Sequence, residues 1–115
     1  MDYLGKLQKF MKFINQKYEN DGTFRSAGEF PWTLVNESGI DFGDGAEQLS
    51  AMDILLQQEL IEFADIQTSR HVEMTSKIRP SVKGLKSTKQ DWMKVLEAVT
   101  KAIAEGVIRG LSKPM

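Results

Sequence analysis

The 115-residue chain has no cysteine, which excludes a disulfide scaffold, thiol chemistry and a zinc centre built on thiolates. It has one histidine, His71, so no second imidazole is at hand for a metal site. No apolar run approaches the ~18 residues of a membrane span. The first residues, Met1-Asp2-Tyr3-Leu4-Gly5-Lys6, lack the apolar stretch of a signal peptide. The expectation is a soluble, cytoplasmic protein. The most informative absence is one of charge: from Ser26 to Ser69 there is neither lysine nor arginine. That block holds nine acidic residues, Glu29, Glu37, Asp41, Asp44, Glu47, Asp53, Glu59, Glu62 and Asp65. The bases gather on either side of it, five in residues 1–25 and ten in residues 70–115.

What is present is ordinary for a globular chain. At 41% hydrophobic and 27% charged residues, the chain has enough apolar surface for one core and too little length for two. No internal repeat or low-complexity tract interrupts it. Residues 1–115 are therefore read as one domain.

Tyr3, Leu4, Leu7, Phe10, Met11, Ile14 and Tyr18 recur at helical spacing, with lysines on the opposite side. Asn20-Asp21-Gly22 ends that helix, with Gly22 expected in the left-handed conformation. Thr23-Phe24-Arg25 is read as a short strand. Pro31 suits the first turn of a short helix closed by Gly39. Asp41-Phe42-Gly43-Asp44-Gly45 reads as a flexible acidic loop. Asp44 and Glu47 have the spacing of a capping box for a third helix, with Leu49, Met52, Leu55 and Leu56 on its apolar face. Leu60–Ile66 reads as a strand. Val72, Met74, Ser76 and Ile78 alternate with Glu73, Thr75, Lys77 and Arg79, the period of a half-buried strand that Pro80 should stop. The two strands form a hairpin. Ser81 suits the cap of a helical turn, and Ser87 or Thr88 that of a long last helix over 88–111.

The last helix is apolar or small around most of its circumference. Glu97, Lys101, Glu105 and Arg109 form one ridge of alternating sign, and such neighbours add about 0.2–0.5 kcal/mol per pair to a helix. Ala98, Ala102, Gly106 and Gly110 form a ridge of small side chains. Two glycines inside a helix cost about 1 kcal/mol each relative to alanine, a cost that the close approach of another helix would offset. The reading is a homodimer through this helix, with Ala98, Ala102, Ile103, Gly106 and Gly110 at the interface.

Two stretches resemble the winged helix-turn-helix superfamily. Leu55-Leu56-Gln57-Gln58-Glu59-Leu60-Ile61-Glu62-Phe63 is similar to the run from that superfamily's third helix into its first wing strand, with Glu59 where a glycine usually stands. Ile78-Arg79-Pro80-Ser81-Val82-Lys83-Gly84-Leu85 is similar to the approach to its last helix, with Pro80 inserted and Ser81 in place of threonine. The resemblance implies a mostly helical α+β fold: a single winged-helix-like domain with a two-stranded wing hairpin and a long C-terminal helix. It also implies DNA binding, with the third helix in the major groove and the wing beside it. The residues oppose that function. Residues 46–58 would turn Glu47, Gln48, Ser50, Ala51, Asp53, Ile54 and Gln57 to solvent, with no arginine for guanine and no lysine for phosphate. A surface of this charge is repelled by DNA, whose affinity for proteins rests largely on cations displacing counterions.

Two readings follow. In the first, the chain is a non-enzymatic interaction module that binds a protein partner with its acidic face, and Phe30, Trp32, Phe42, Glu47 and Asp53 are the candidate contacts, since aromatic anchors dominate interface energies. In the second, it is a transcription-regulator-like protein that meets phosphates, or an acidic partner, through Arg70, Lys77, Arg79 and Lys83 of the wing. A third class, a small-molecule binder or enzyme, has no residue to carry it: there is no nucleophile elbow, phosphate-cradling loop or dinucleotide fingerprint. Asp41, Asp44 and Glu47 are too sparse for a calcium loop, and His71 reads as a solvated turn residue. No cofactor, metal or catalytic residue is expected.

Overall fold

The computed structural model describes residues 3–106. The fold is mostly helical α+β, with one two-stranded antiparallel hairpin. Its elements are α1 (Tyr3–Asn20), α2 (Gly22–Ala27), α3 (Pro31–Ser38), α4 (Gly45–Gln57), β1 (Ile61–Phe63), β2 (Ile78–Pro80), α5 (Val82–Leu85) and α6 (Lys89–Ala104).

α1 forms where the apolar spacing predicts it and buries Tyr3, Leu7, Phe10, Met11 and Ile14. The segment after it is a correction. Thr23-Phe24-Arg25 is helical, because the Asp21 carboxylate accepts the Phe24 N–H at 3.1 Å and starts a new helix. Gly22 is the first residue of that helix and has no positive φ; the left-handed glycine is Gly28, at φ 69°. Lys17 ties three helices together, lying 3.1 Å from Glu37 and 3.6 Å from Asp21. Partial burial works against its charge, but the hydrogen bond and charge of Glu37, with Asp21, outweigh burial and raise its pKa.

α3 starts at Pro31 and ends at Gly39, which is left-handed at φ 72°. Asp44 caps α4 by accepting the Glu47 N–H at 3.0 Å. The loop before α4 is anchored rather than loose: Phe42 is buried, with ring centroids 6.1 Å from Tyr3 and 5.9 Å from Phe10 in edge-on geometry. That arrangement suits the aromatic quadrupole.

The hairpin is shorter than its sequence pattern. β1 and β2 pair over three residues, Ile61 with Pro80, Glu62 with Arg79 and Phe63 with Ile78. Pro80 lies inside β2, at a register where its missing N–H is not needed. The ladder bonds flanking it belong to alternate residues, Ser81 N–H to Leu60 O and Ala64 N–H to Lys77 O. The other side of β2 meets Glu29, which exchanges both backbone hydrogen bonds with Ile78 at 2.9 and 3.0 Å. Residues 64–77 form a long connection. Val72 and Ser76 are buried as the alternation expects, but Met74 is exposed, and none of the three pairs in a strand. A turn accounts for this: the Ser76 hydroxyl accepts the Glu73 N–H, and the Glu73 carbonyl accepts the Ser76 N–H.

Ser81 caps α5 through the Gly84 N–H. Thr88 caps α6 in a reciprocal box with Asp91. α6 lays Val95 and Val99 on the core, with Trp92, Ala98, Ala102 and Ile103 packed against it. It ends with Glu105 as its C-cap and Gly106 left-handed at φ 77°.

Candidate interaction surface

α4 is the element on which the functional readings turn. Two of its expected solvent-facing residues are in the core: Ala51 is 0% exposed and Ile54 is also buried. Both belong to the single core cluster. Two others are occupied. The Asp53 carboxylate accepts the Val72 N–H at 2.6 Å, and its other oxygen lies 3.5 Å from His71 Nδ1. The Gln57 amide donates to the Arg70 carbonyl at 3.2 Å. At the other end, Met74 reaches Gly45, where an added Cβ would stand 2.7 Å from its Cε. Residues 70–74 therefore run antiparallel along α4, from its last turn to its first. The chain itself thus occupies Asp53 and Gln57, two of the side chains expected to face solvent.

Burial raises the pKa of Asp53, against the opposing pull of the Val72 N–H and His71. Asp21 and Asp91 are lowered, chiefly by the backbone N–H groups of Phe24 and Thr88. Burial also raises the Tyr3 phenol, and the Glu47 carboxylate adds to that rise. Glu47 is half-buried, with its carboxyl folded back over Gly43.

The candidate partner contacts do not form one cluster. Phe42 belongs to the core and is withdrawn as a partner anchor. Trp32, at the start of α3, is 48% exposed. Phe30 is half-buried, and the Lys77 ammonium sits 5.3 Å from its ring centroid. Between α3 and α4 a shallow concavity of about 360 Å³ is lined by Val35, Ile40, Phe42 and Gln48 with the Gly39–Gly43 backbone.

The basic stretch is also drawn inward. Arg79 donates from Nε to Glu62 at 2.9 Å, and from its other arm to the carbonyls of Arg25 and Ser26 at 3.0 and 2.9 Å. It clamps the hairpin to the end of α2. Lys83 lies 3.7 Å from Glu59 and 3.9 Å from Asp91. Of the four cations assigned to phosphates, Arg70 alone makes no ion pair or ring contact among the described residues. Sequence reading missed the Arg79 clamp. The signal was the cross-strand pairing of Arg79 with Glu62, legible only once the register is known.

The assigned dimer residues are split. Ala98, Ala102 and Ile103 pack on their own core. Gly106 is exposed at the helix end, and Gly110 lies outside the described residues. The expected helical ion pairs of Glu97, Lys101 and Glu105 are absent among the described residues. No three of His, Asp and Glu converge to hold a metal ion among those residues, and no helix there is long and apolar enough to cross a membrane. Comparison of the chain with protein-family models, with curated proteins and with solved structures gives no match.

Proposed function

We propose that this chain is a non-enzymatic, winged-helix-type binding module that engages a protein partner through its acidic helix-turn-helix side. Three features support the winged-helix part of the reading. The element order places α3 and α4 ahead of a hairpin, and the Glu29–Ile78 bridge adds a third ribbon beside β2. Glu59, where the superfamily usually has glycine, takes the glycine's conformation at φ 63°. Ser81 caps the short helix that leads to α6.

The observation that carries the functional reading is the strap of residues 70–74 along α4. Asp53 and Gln57 are spent on holding it. Arg79 is spent inside the fold, and Lys83 lies beside Glu59 and Asp91 at its surface. A duplex approaching α4 would meet an acidic helix and a partly covered face, and at that face the loss of counterion release leaves little to bind with. Trp32 offers a large exposed ring on the same helix-turn-helix unit, the residue type that most often anchors protein interfaces.

Fluorescence anisotropy of a labelled random-sequence duplex, titrated at low and at moderate salt, tests the reading. No binding at low salt is the expected result, since charge effects are largest there. Tight binding that falls steeply with salt would overturn it in favour of a DNA-binding regulator that docks through Arg70 and its neighbours.

A further inference from the structure

α6 has an outward face that nothing else among the described residues covers. Met93 is 58% exposed and Leu96 47%. Thr100 and Ala104 continue the face and are exposed as well. In a helix of 3.6 residues per turn, Met93, Thr100 and Ala104 fall within about 40° of one another, with Leu96 on one flank. The other flank carries Lys94, Glu97, Lys101 and Glu105, all exposed. None of these four charges makes an ion pair among the described residues. The face thus joins two unusual features: large apolar side chains in water, and a ridge of alternating charge in which no ion pair forms, Lys94 feeling only the longer-range charge of Asp91.

The charges decide what fits. When two helices pack antiparallel, each flank meets the same flank of the other copy; when they pack parallel, opposite flanks meet. Laid antiparallel on a second copy, with the two-fold axis level with Val99, the ridge is its own complement. Glu97 of each copy meets Lys101 of the other, and Lys94 of each meets Glu105 of the other. All four contacts are attractive, and the apolar face closes between them.

We infer that two copies of this chain pair antiparallel through Met93, Leu96, Thr100 and Ala104 of α6, with Lys94, Glu97, Lys101 and Glu105 setting the register. The pairing does not depend on the function proposed above, and it leaves Ala98 and Ala102 on the core where the fold puts them. A contact of one short helix per copy falls at the small end of specific interfaces, so the dimer is weak and reversible.

Sedimentation velocity over a concentration series tests this with the full chain and three surface variants. The wild type is expected to pass from monomer to dimer as concentration rises. Glu97→Lys and Lys101→Glu each turn two attractive contacts repulsive, and each alone should weaken self-association about tenfold or more. An equimolar mixture of the two restores every contact and should recover a dimer of wild-type affinity. Leu96→Ser should weaken the dimer without touching the charges. Circular dichroism checks that each variant keeps the wild-type spectrum and melt. A wild type that stays monomeric at every concentration overturns the inference. So does a dimer that persists in both charge variants, or two charge variants that fail to pair when mixed.

Discussion

The backbone N–H of Val72 donates to the Asp53 carboxylate at 2.6 Å, and this bond fixes the middle of the 64–77 connection to the middle of α4. Val72 is buried, and its N–H depends on this acceptor. Asp53→Ala should therefore cost about 1–3 kcal/mol, the penalty of an orphaned buried donor. Asp53→Asn keeps an acceptor oxygen and should cost far less. Urea denaturation of both variants separates the two outcomes; equal losses would mean that the contact holds nothing in place.

The same carboxyl makes a statement about pH. Burial raises its folded pKa above the unfolded value, so the folded state binds that proton more tightly. The charged form then lowers stability above the raised pKa, and the penalty fades as pH falls through it. Asp21 and Asp91 act in the opposite sense: their folded pKa values are lowered, and their contribution is lost as pH falls through those values. The stability of Asp53→Asn relative to the wild type should be most favourable at neutral pH and should decline on acidification. Denaturation midpoints across the acid range would show this, and a difference independent of pH would refute it.

Arg79 and Glu62 face each other across the hairpin at 2.9 Å, while two backbone carbonyls of α2 accept from the Arg79 Nη1. A lysine has one donor head where this site uses a planar fork. Arg79→Lys should lose about 1–2 kcal/mol, close to the loss for Arg79→Ala, because most of the hydrogen bonds go in both cases. Thermal melts compare them directly. If lysine restored full stability, the clamp would be a matter of charge alone.

Much of the fold is legible in the sequence, and what is not has identifiable causes. α1, the Pro31 start and Gly39 stop of α3, and the caps at Asp44, Ser81 and Thr88 rest on local chemistry, which a short window contains. The strands are shorter than the alternation suggests because a buried side chain does not require a partner strand. Val72 and Ser76 are buried by docking on α4 and by a turn, while Ile66, inside the expected first strand, is 98% exposed. Thr23–Arg25 is helical because one aspartate, Asp21, outweighs the β-propensity of Thr23 and Phe24. The candidate surface was less legible still. Phe42 and Trp32 are alike in sequence, aromatics in an acidic block, and only tertiary packing sends one to the core and leaves the other in water. The roles of Asp53 and Arg79 depend on residues 17 or more positions away, so no local pattern could have assigned them.

Glu59 holds φ 63° between α4 and β1, a conformation that costs a residue with a Cβ about 1–2 kcal/mol. Its side chain is largely exposed, and its 3.7 Å pair with Lys83 is of the kind worth little in water. Glu59→Gly removes the strain but loosens the unfolded chain. The net expectation is a gain of about 0.5–1 kcal/mol. A destabilised variant in urea melts would mean that the Lys83 pair outweighs the backbone term.

Gly84 and Gly22 provide a paired test of close packing. A Cβ at Gly84 would run into the Leu60 carbonyl oxygen and stand 2.9 Å from Met11 Cε. Gly84 is buried, and its carbonyl also accepts the Asn15 amide at 3.2 Å. Rigid backbone on one side leaves α5 no way to yield without disturbing β1, so Gly84→Ala should cost about 3 kcal/mol or more. Gly22 opens α2 with nothing within 4 Å of an added Cβ and no positive φ. Gly22→Ala should instead stabilise by about 0.4–1 kcal/mol, by restricting the unfolded chain. Both variants are read in the same urea titration. Near-equal midpoints would mean that α5 sits more loosely on β1 than the Gly84–Leu60 approach requires, and that the junction of hairpin and α5 is not a fixed point of the fold.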